Sequence, residues 1–76
     1  MKSVNKTYRG EEYCIRASEQ DGGVTVRVFR SDVEVAEDSI TSDARQDYIA
    51  YNGHDWVTGK MDAFAERIDR GEFFCN

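Results

Sequence analysis

Apolar and polar residues alternate through the first half of the chain, as they do in β-strands. The alternation runs through residues 13–18, 24–29 and 33–40. A period of two places successive side chains on opposite faces of a strand. The pattern therefore predicts three strands, each with one apolar face.

Two dipeptides between these runs are suited to tight turns. Asp21-Gly22 is the stronger signal, because both turn positions need a positive φ, and Ser31-Asp32 is the weaker one. Counting outward from these turns brings apolar residues opposite one another: Ala17 and Val26, Ile15 and Val28, Val28 and Val35. All these residues lie on one face, and a slip of one residue would divide them between faces.

The second half of the chain has the spacing of helices. Residues 42–52 begin among capping residues and end before Gly53, and residues 55–70 end before Gly71. The second helix carries one apolar stripe, which consists of Val57, Met61, Phe64 and Ile68. Neither a sheet nor a helix buries its apolar side alone. We therefore predict an α+β fold: a three-stranded antiparallel β-meander with two C-terminal helices packed on one face (βββαα), as a single domain over residues 1–76.

Length and composition restrict the function. The chain has 76 residues, of which 39% are hydrophobic and 33% charged, which is typical of a small compact domain. It has little room for an enclosed substrate cavity, so we do not expect an enzyme. Ten Lys and Arg against 15 Asp and Glu give a net charge of −5, which disfavours direct nucleic-acid binding and favours a protein partner with a basic surface.

Location and cysteine chemistry follow from absent sequence signals. No apolar run is long enough to span a bilayer, and residues 1–10 lack the core of a signal peptide. We therefore expect a cytoplasmic protein with no membrane partner. In that reducing compartment, Cys14 and Cys75 are expected to be free thiols.

Motifs for catalysis, metals or cofactors are weak. His54 is the only histidine and is expected to be a cap or surface residue. A set of Cys14, His54, Asp55 and Cys75 lacks the short paired spacing of structural zinc sites. We therefore predict no metal, no cofactor and no catalytic residue. Three aromatic residues of the second half, Tyr48, Tyr51 and Trp56, are expected to flank the core and not to stack a ligand.

The sheet face opposite the valines is the first candidate binding surface, and we call it the open sheet face. The predicted register places Arg16 opposite Arg27, where the two charges repel, and Phe29 opposite Glu34. Arginine and aromatic side chains are enriched at interface cores. This face is predicted to dock a partner or a second copy, the alternative being an ordinary solvated face.

The second candidate surface is an acidic ridge on the helices. Carboxylates recur opposite the apolar stripe of the last helix, at Asp55, Asp62, Glu66 and Asp69, and Asp43 and Asp47 extend them along the preceding helix. A ridge of this kind is suited to a basic groove on a partner. The alternative is a solvated helix face.

Three classes of function fit these surfaces. The first is a small acidic protein-binding module. In size, acidity and lack of catalytic motifs the chain is similar to phage-made inhibitors of host defence or nucleic-acid-handling complexes, such as anti-CRISPR proteins. This similarity is one of general properties, and no motif carries it. The second is a homo-oligomer, such as a homodimer, with a housekeeping role. The third is a single-stranded nucleic-acid binder that stacks bases on Phe29.

Overall fold

The computed structural model describes residues 2–20 and 22–74. Within them the elements follow in the order β1 (Lys2–Tyr8), β2 (Glu11–Gln20), β3 (Gly23–Arg30), β4 (Val33–Thr41), α1 (Ser42–Asn52) and α2 (Trp56–Asp69). The strands form one antiparallel sheet in the order β1-β2-β3-β4. The α+β class and the antiparallel sheet are confirmed, but the predicted count of three strands is wrong.

The strand that the sequence pattern missed is β1. It pairs with β2 along its length. A turn at Arg9-Gly10 connects the two strands, and both turn residues have positive φ, 50° and 81°. Its helix-facing positions include Lys6 as well as Val4, and Val4 is 42% exposed. At the edge of the sheet this face is only partly covered, so it does not need the apolar alternation that marks a central strand.

The predicted register between the two central strands is confirmed. Ala17 lies opposite Val26 and Ile15 opposite Val28. Gln20 pairs with Gly23, and Gly22 has the positive φ of 83° that the turn requires. Asp21, the other predicted turn residue, lies outside the described residues.

One predicted pair in the third hairpin is wrong. The turn itself is confirmed, because Ser31 and Asp32 both have positive φ, 48° and 68°. The register then shifts between Phe29 and Val28, so that Val28 lies opposite Ala36 and not Val35. Val35 is the extra residue of a β-bulge, which no local sequence pattern indicated.

The core lies between the sheet and α2. The four stripe residues of α2 are buried against six sheet residues: Tyr13, Ile15, Ala17, Val24, Val26 and Val28. The predicted helix bounds 42–52 are confirmed, and α2 is one residue shorter than predicted at each end. In contrast, α1 has no buried residue. Tyr51 is 90% exposed, so the prediction that it flanks the core is wrong.

An ion pair joins the edge strand β4 to α2. Lys60 Nζ lies 2.8 Å from Asp38 Oδ2. The hydrogen bond from Lys60 is the main cause that holds the pKa of Asp38 below its ordinary value of 3.8; burial opposes it, and the backbone N–H of Ser39 adds to it. A carboxyl whose pKa is lowered by folding stabilises the fold above its unfolded-state pKa, and this stability is lost as pH falls.

Asp38→Asn should therefore remove part of the acid dependence of stability. The wild-type protein loses the contribution of Asp38 as pH falls below 3.8, the window that follows from the lowered pKa. Urea denaturation over a pH series measures this difference. Asp62→Asn is the matched control, since it removes the same charge from an exposed helix position. Parallel acid destabilisation of the Asp38 variant and the wild type would contradict the prediction.

Candidate functional site

The two arginines of the open sheet face find separate partners. Arg16 and Arg27 are directly opposite, as predicted. The guanidinium of Arg16 lies 5.1 Å from the centre of the Phe29 ring, in a cation–π contact. Arg27 Nε lies 3.0 Å from Glu34 and 3.4 Å from Glu37, both on β4. The predicted repulsion is thus offset within the chain, and all four predicted residues of this face lie together.

These contacts bear on the nucleic-acid alternative. Base stacking needs an open aromatic ring beside basic groups that remain free for phosphates. Arg16 already lies over the Phe29 ring, and two glutamates neutralise Arg27. In the free chain, neither arginine of this face is arranged as base stacking requires.

A depression of about 310 Å³ lies on the open sheet face, lined mostly by residues of β1 and β2 and also by Phe29 and the β3–β4 turn. Its lining includes Asn5, Glu12, Cys14, Arg16, Phe29 and Asp32. Cys14 is free and half-buried, and its Sγ accepts a hydrogen bond of 3.4 Å from Arg16 Nε. Cys75, the other predicted free thiol, lies outside the described residues. The depression is polar and open, which suits contact between surfaces better than capture of a small molecule.

Two members of the predicted acidic ridge have structural partners. Asp55, at the N-terminal cap of α2, accepts two hydrogen bonds from Arg45 of α1, at 2.8 and 2.9 Å. This hydrogen bonding is the main cause that raises the pKa of Arg45 above its ordinary value. Asp69 lies 2.8 Å from Lys6 and so connects α2 to β1. Both carboxylates hold elements of the fold together.

The other four predicted ridge residues are exposed and make no ion pair with any described residue. We call them the free acidic set: Asp43 and Asp47 on α1, and Asp62 and Glu66 on α2. Within each helix the two carboxylates are four residues apart, which places them on one side. The structure thus reduces the predicted ridge to a smaller set that remains available to a partner.

Helix α1 adds exposed apolar surface that sequence reasoning missed. Ile49 is 44% exposed, and Tyr51 is more exposed still. The helix is held at its ends, where the Ala44 N–H donates to Thr41 Oγ1 at 3.2 Å and the Gly53 N–H donates to the Ile49 carbonyl at 2.8 Å. The absence of one apolar stripe in residues 42–52 was the available signal.

The one histidine of the sequence, His54, lies in the connection between α1 and α2. His54 is exposed, as predicted, with its ring nitrogens 3.3 Å from Tyr48 Oη and 3.1 Å from the Asn52 carbonyl. Over residues 2–20 and 22–74 there is no group of three metal-ligating side chains. None of the helices in that same part of the chain is long and apolar enough to cross a membrane.

No protein-family model, curated protein or solved structure matches this chain.

Proposed function

We propose that this chain is a small non-catalytic protein-binding module, which docks on a basic surface of its partner through the free acidic set. The uneven use of charge within the chain carries the proposal. Internal ion pairs engage most of the basic residues: Lys6, Arg27, Arg45, Lys60, Arg67 and Arg70. The free acidic set has no such partner in the described chain, so much of the surplus negative charge is displayed on the two helices.

Charge of this kind acts mainly on association. Exposed carboxylates steer a basic partner during diffusional encounter and exclude partners of like charge. Tyr51 and Ile49, exposed on the same helix as Asp43 and Asp47, supply apolar contact area. Tyrosine is among the residues that most often dominate binding energy at interfaces. The helices thus combine steering charge with an aromatic anchor.

The partner that fits this chemistry best is a nucleic-acid-handling protein. Such proteins carry basic grooves that neutralise phosphates. A small acidic protein that occupies a groove of this kind excludes the nucleic acid and inhibits the activity. On this basis we propose a cytoplasmic inhibitor of a host defence or nucleic-acid-handling complex, of the kind that phages make.

Reversal of the helix charges tests the proposal. We expect a double Asp62→Lys/Glu66→Lys variant to associate with the partner at least about tenfold more slowly, and wild-type binding to weaken steeply with salt. The partner is first captured on immobilised wild-type protein, then purified, and its association rate is measured over a range of ionic strength. Because both side chains are exposed, the double variant should remain folded, and slower association would not result from unfolding.

A matched single reversal serves as the control. Glu12→Lys and Asp62→Lys each reverse one exposed carboxylate, but on the sheet and on α2 respectively. In dilute samples, where no second copy covers the open sheet face, Asp62→Lys should slow association more than Glu12→Lys. Equal effects would show that only total charge matters, and an unchanged rate in the double variant would rule out docking through α2.

A homo-oligomer is the second candidate. Two charges of opposite sign on the open sheet face favour this candidate. Neither Arg16 nor Glu12 makes an ion pair with another described residue.

A further inference from the structure

Strand pairing arranges the open sheet face in rows that run across the strands. The middle row consists of Asn5, Cys14, Phe29 and Glu34. On one side of it lies a row of Ser3, Arg16, Arg27 and Glu37. On the other side lie Thr7 and its partner Glu12, whose carbonyl accepts a hydrogen bond of 2.9 Å from the Ser31 N–H. The rows place opposite charges on opposite sides of Cys14 and Phe29.

The uncompensated charges of this face are equidistant from the middle row. Arg16 and Glu12 both lie on β2, one on each side of Cys14 and two residues from it. Each is exposed, and neither makes an ion pair with another residue of the described ranges. Arg27, in contrast, is already neutralised by Glu34 and Glu37. Arg16 and Glu12 are therefore one positive and one negative group that a symmetric partner can match, while Arg27 with its two glutamates keeps one negative charge at the β4 side of the face.

We propose that the open sheet face is the self-association surface of this protein, with a second copy as its occupant. The two faces pack with their strands antiparallel, about a two-fold axis that crosses the strands beside Cys14 and Phe29. This operation places Arg16 of each copy opposite Glu12 of the other and brings the two Phe29 side chains near the axis. It also places the two Glu34 side chains across the axis from each other, where Arg27 beside each one offsets their repulsion. One surface patch thus serves both copies, as in an isologous dimer.

The twist of stacked sheets is compatible with these ion pairs. Two residues along a strand correspond to about 7 Å, so each charge lies that far from the axis. Packed sheets cross at about 30°, which displaces a group at that distance sideways by about 3.5 Å. Flexible arginine and glutamate side chains span such an offset. The pairing therefore does not depend on exact alignment.

The distribution of charge outside this face also permits a dimer. Asp62 and Glu66 lie on the exposed side of α2, whose other side packs on the sheet face opposite to the proposed interface. Repulsion between them in two copies is screened beyond about 8–10 Å at ordinary salt. The helices remain exposed in the dimer, which would give the proposed module two acidic surfaces, although self-association does not depend on that function.

The area of the face sets the expected strength. Four strands of about eight residues present a face of roughly 500 Å². Stable interfaces bury about 800 Å² on each partner, so we expect a weak dimer that dissociates on dilution. The fraction of dimer should therefore rise with protein concentration.

Charge exchange within the full chain tests the proposal. Sedimentation over a concentration series should show reversible dimers for the wild type. Glu12→Arg should lower the association constant at least about tenfold, since it places like charges together while leaving the Arg16–Phe29 contact in place. A double Glu12→Arg/Arg16→Glu variant should regain much of the loss. An equimolar mixture of the Glu12→Arg and Arg16→Glu single variants should form the mixed dimer in preference to either homodimer.

The position of the axis has an independent readout. Facing sheets lie about 10 Å apart, beyond the Cα separation of about 4.4–6.8 Å that a disulfide tolerates. A short bismaleimide should therefore link Cys14 to Cys14 in a Cys75→Ser variant, where direct oxidation does not. Asp62→Lys is the control for total charge and should dimerise at least as well as the wild type. Wild-type protein that stays monomeric at the highest concentration, a Glu12→Arg variant that dimerises normally, or a dimer without the Cys14 link would each overturn the proposal.

Discussion

Phe64→Ala is expected to lower the free energy of unfolding by about 3–5 kcal/mol. The Phe64 side chain is 3% exposed and belongs to the single core between α2 and the sheet. Its ring contacts Phe73 at a centroid separation of 6.2 Å, and the Arg67 guanidinium lies 5.6 Å from the ring centre. Removal of the ring leaves a cavity beside the C-terminal segment, which the short chain has few other residues to fill.

The loss is large relative to the stability of so small a domain, which is on the order of 5–10 kcal/mol. Glu66→Ala is the control on the same helix, because Glu66 is exposed, and it should change stability by less than about 0.5 kcal/mol. Urea denaturation followed by circular dichroism measures both variants. If the two behave alike, the apolar stripe of α2 does not form the core.

Gly23→Ala is expected to cost roughly 1–3 kcal/mol, as overpacking does in a well-packed site. Gly23 begins β3 and lies opposite both Gln20 and Thr41, so it is enclosed by neighbouring strands. A Cβ at this position would collide with the Ile40 carbonyl oxygen and lie 3.2 Å from the Thr41 Cα. These are backbone atoms, which move only if the pairing of β3 with β4 opens.

The direction of the stability change at Gly23 distinguishes a collision from the usual effect of alanine. Gly23 does not have a positive φ, so alanine would ordinarily stabilise a strand position by reducing the entropy of the unfolded chain. The Ser42 N–H donates to the Gly22 carbonyl at 2.9 Å, so opening this corner should also loosen the start of α1. Faster amide exchange at residues 39–42, together with lower stability, would support the collision. Unchanged or increased stability would exclude it.

Local patterns in the sequence determined the central part of the fold. Period-two alternation and the turn at Asp21-Gly22 predicted the pairing of Ile15 with Val28, because the covered face of a central strand must be apolar. The stripe from Val57 to Ile68 predicted the buried side of α2 for the same reason, at the helical period. Where burial is the main constraint on a position, the residue type at that position indicates whether it is buried.

Where burial is incomplete, tertiary structure alone decided features that the sequence pattern did not predict. Edge strand β1 needs apolar residues at few positions, so its pattern did not identify it. The bulge at Val35 shifts the register of β4 against β3 by one residue, and alternation along the strand does not encode that shift. The capping residues predicted the bounds of helix α1, but its lack of fully buried residues and its contact with α2 through Arg45 and Asp55 followed only from the structure.

The binding surfaces divide in the same way. Residue types and spacing predicted both the acidic ridge and the open sheet face, because charged and aromatic residues stand out along the chain. Which of those residues are free was decided by partners brought close by folding. Asp69 finds Lys6 from 63 residues away, and Arg27 finds Glu37 on the neighbouring strand. Ion pairing depends on distances of a few ångströms in space, and separation along the sequence carries almost no information about them.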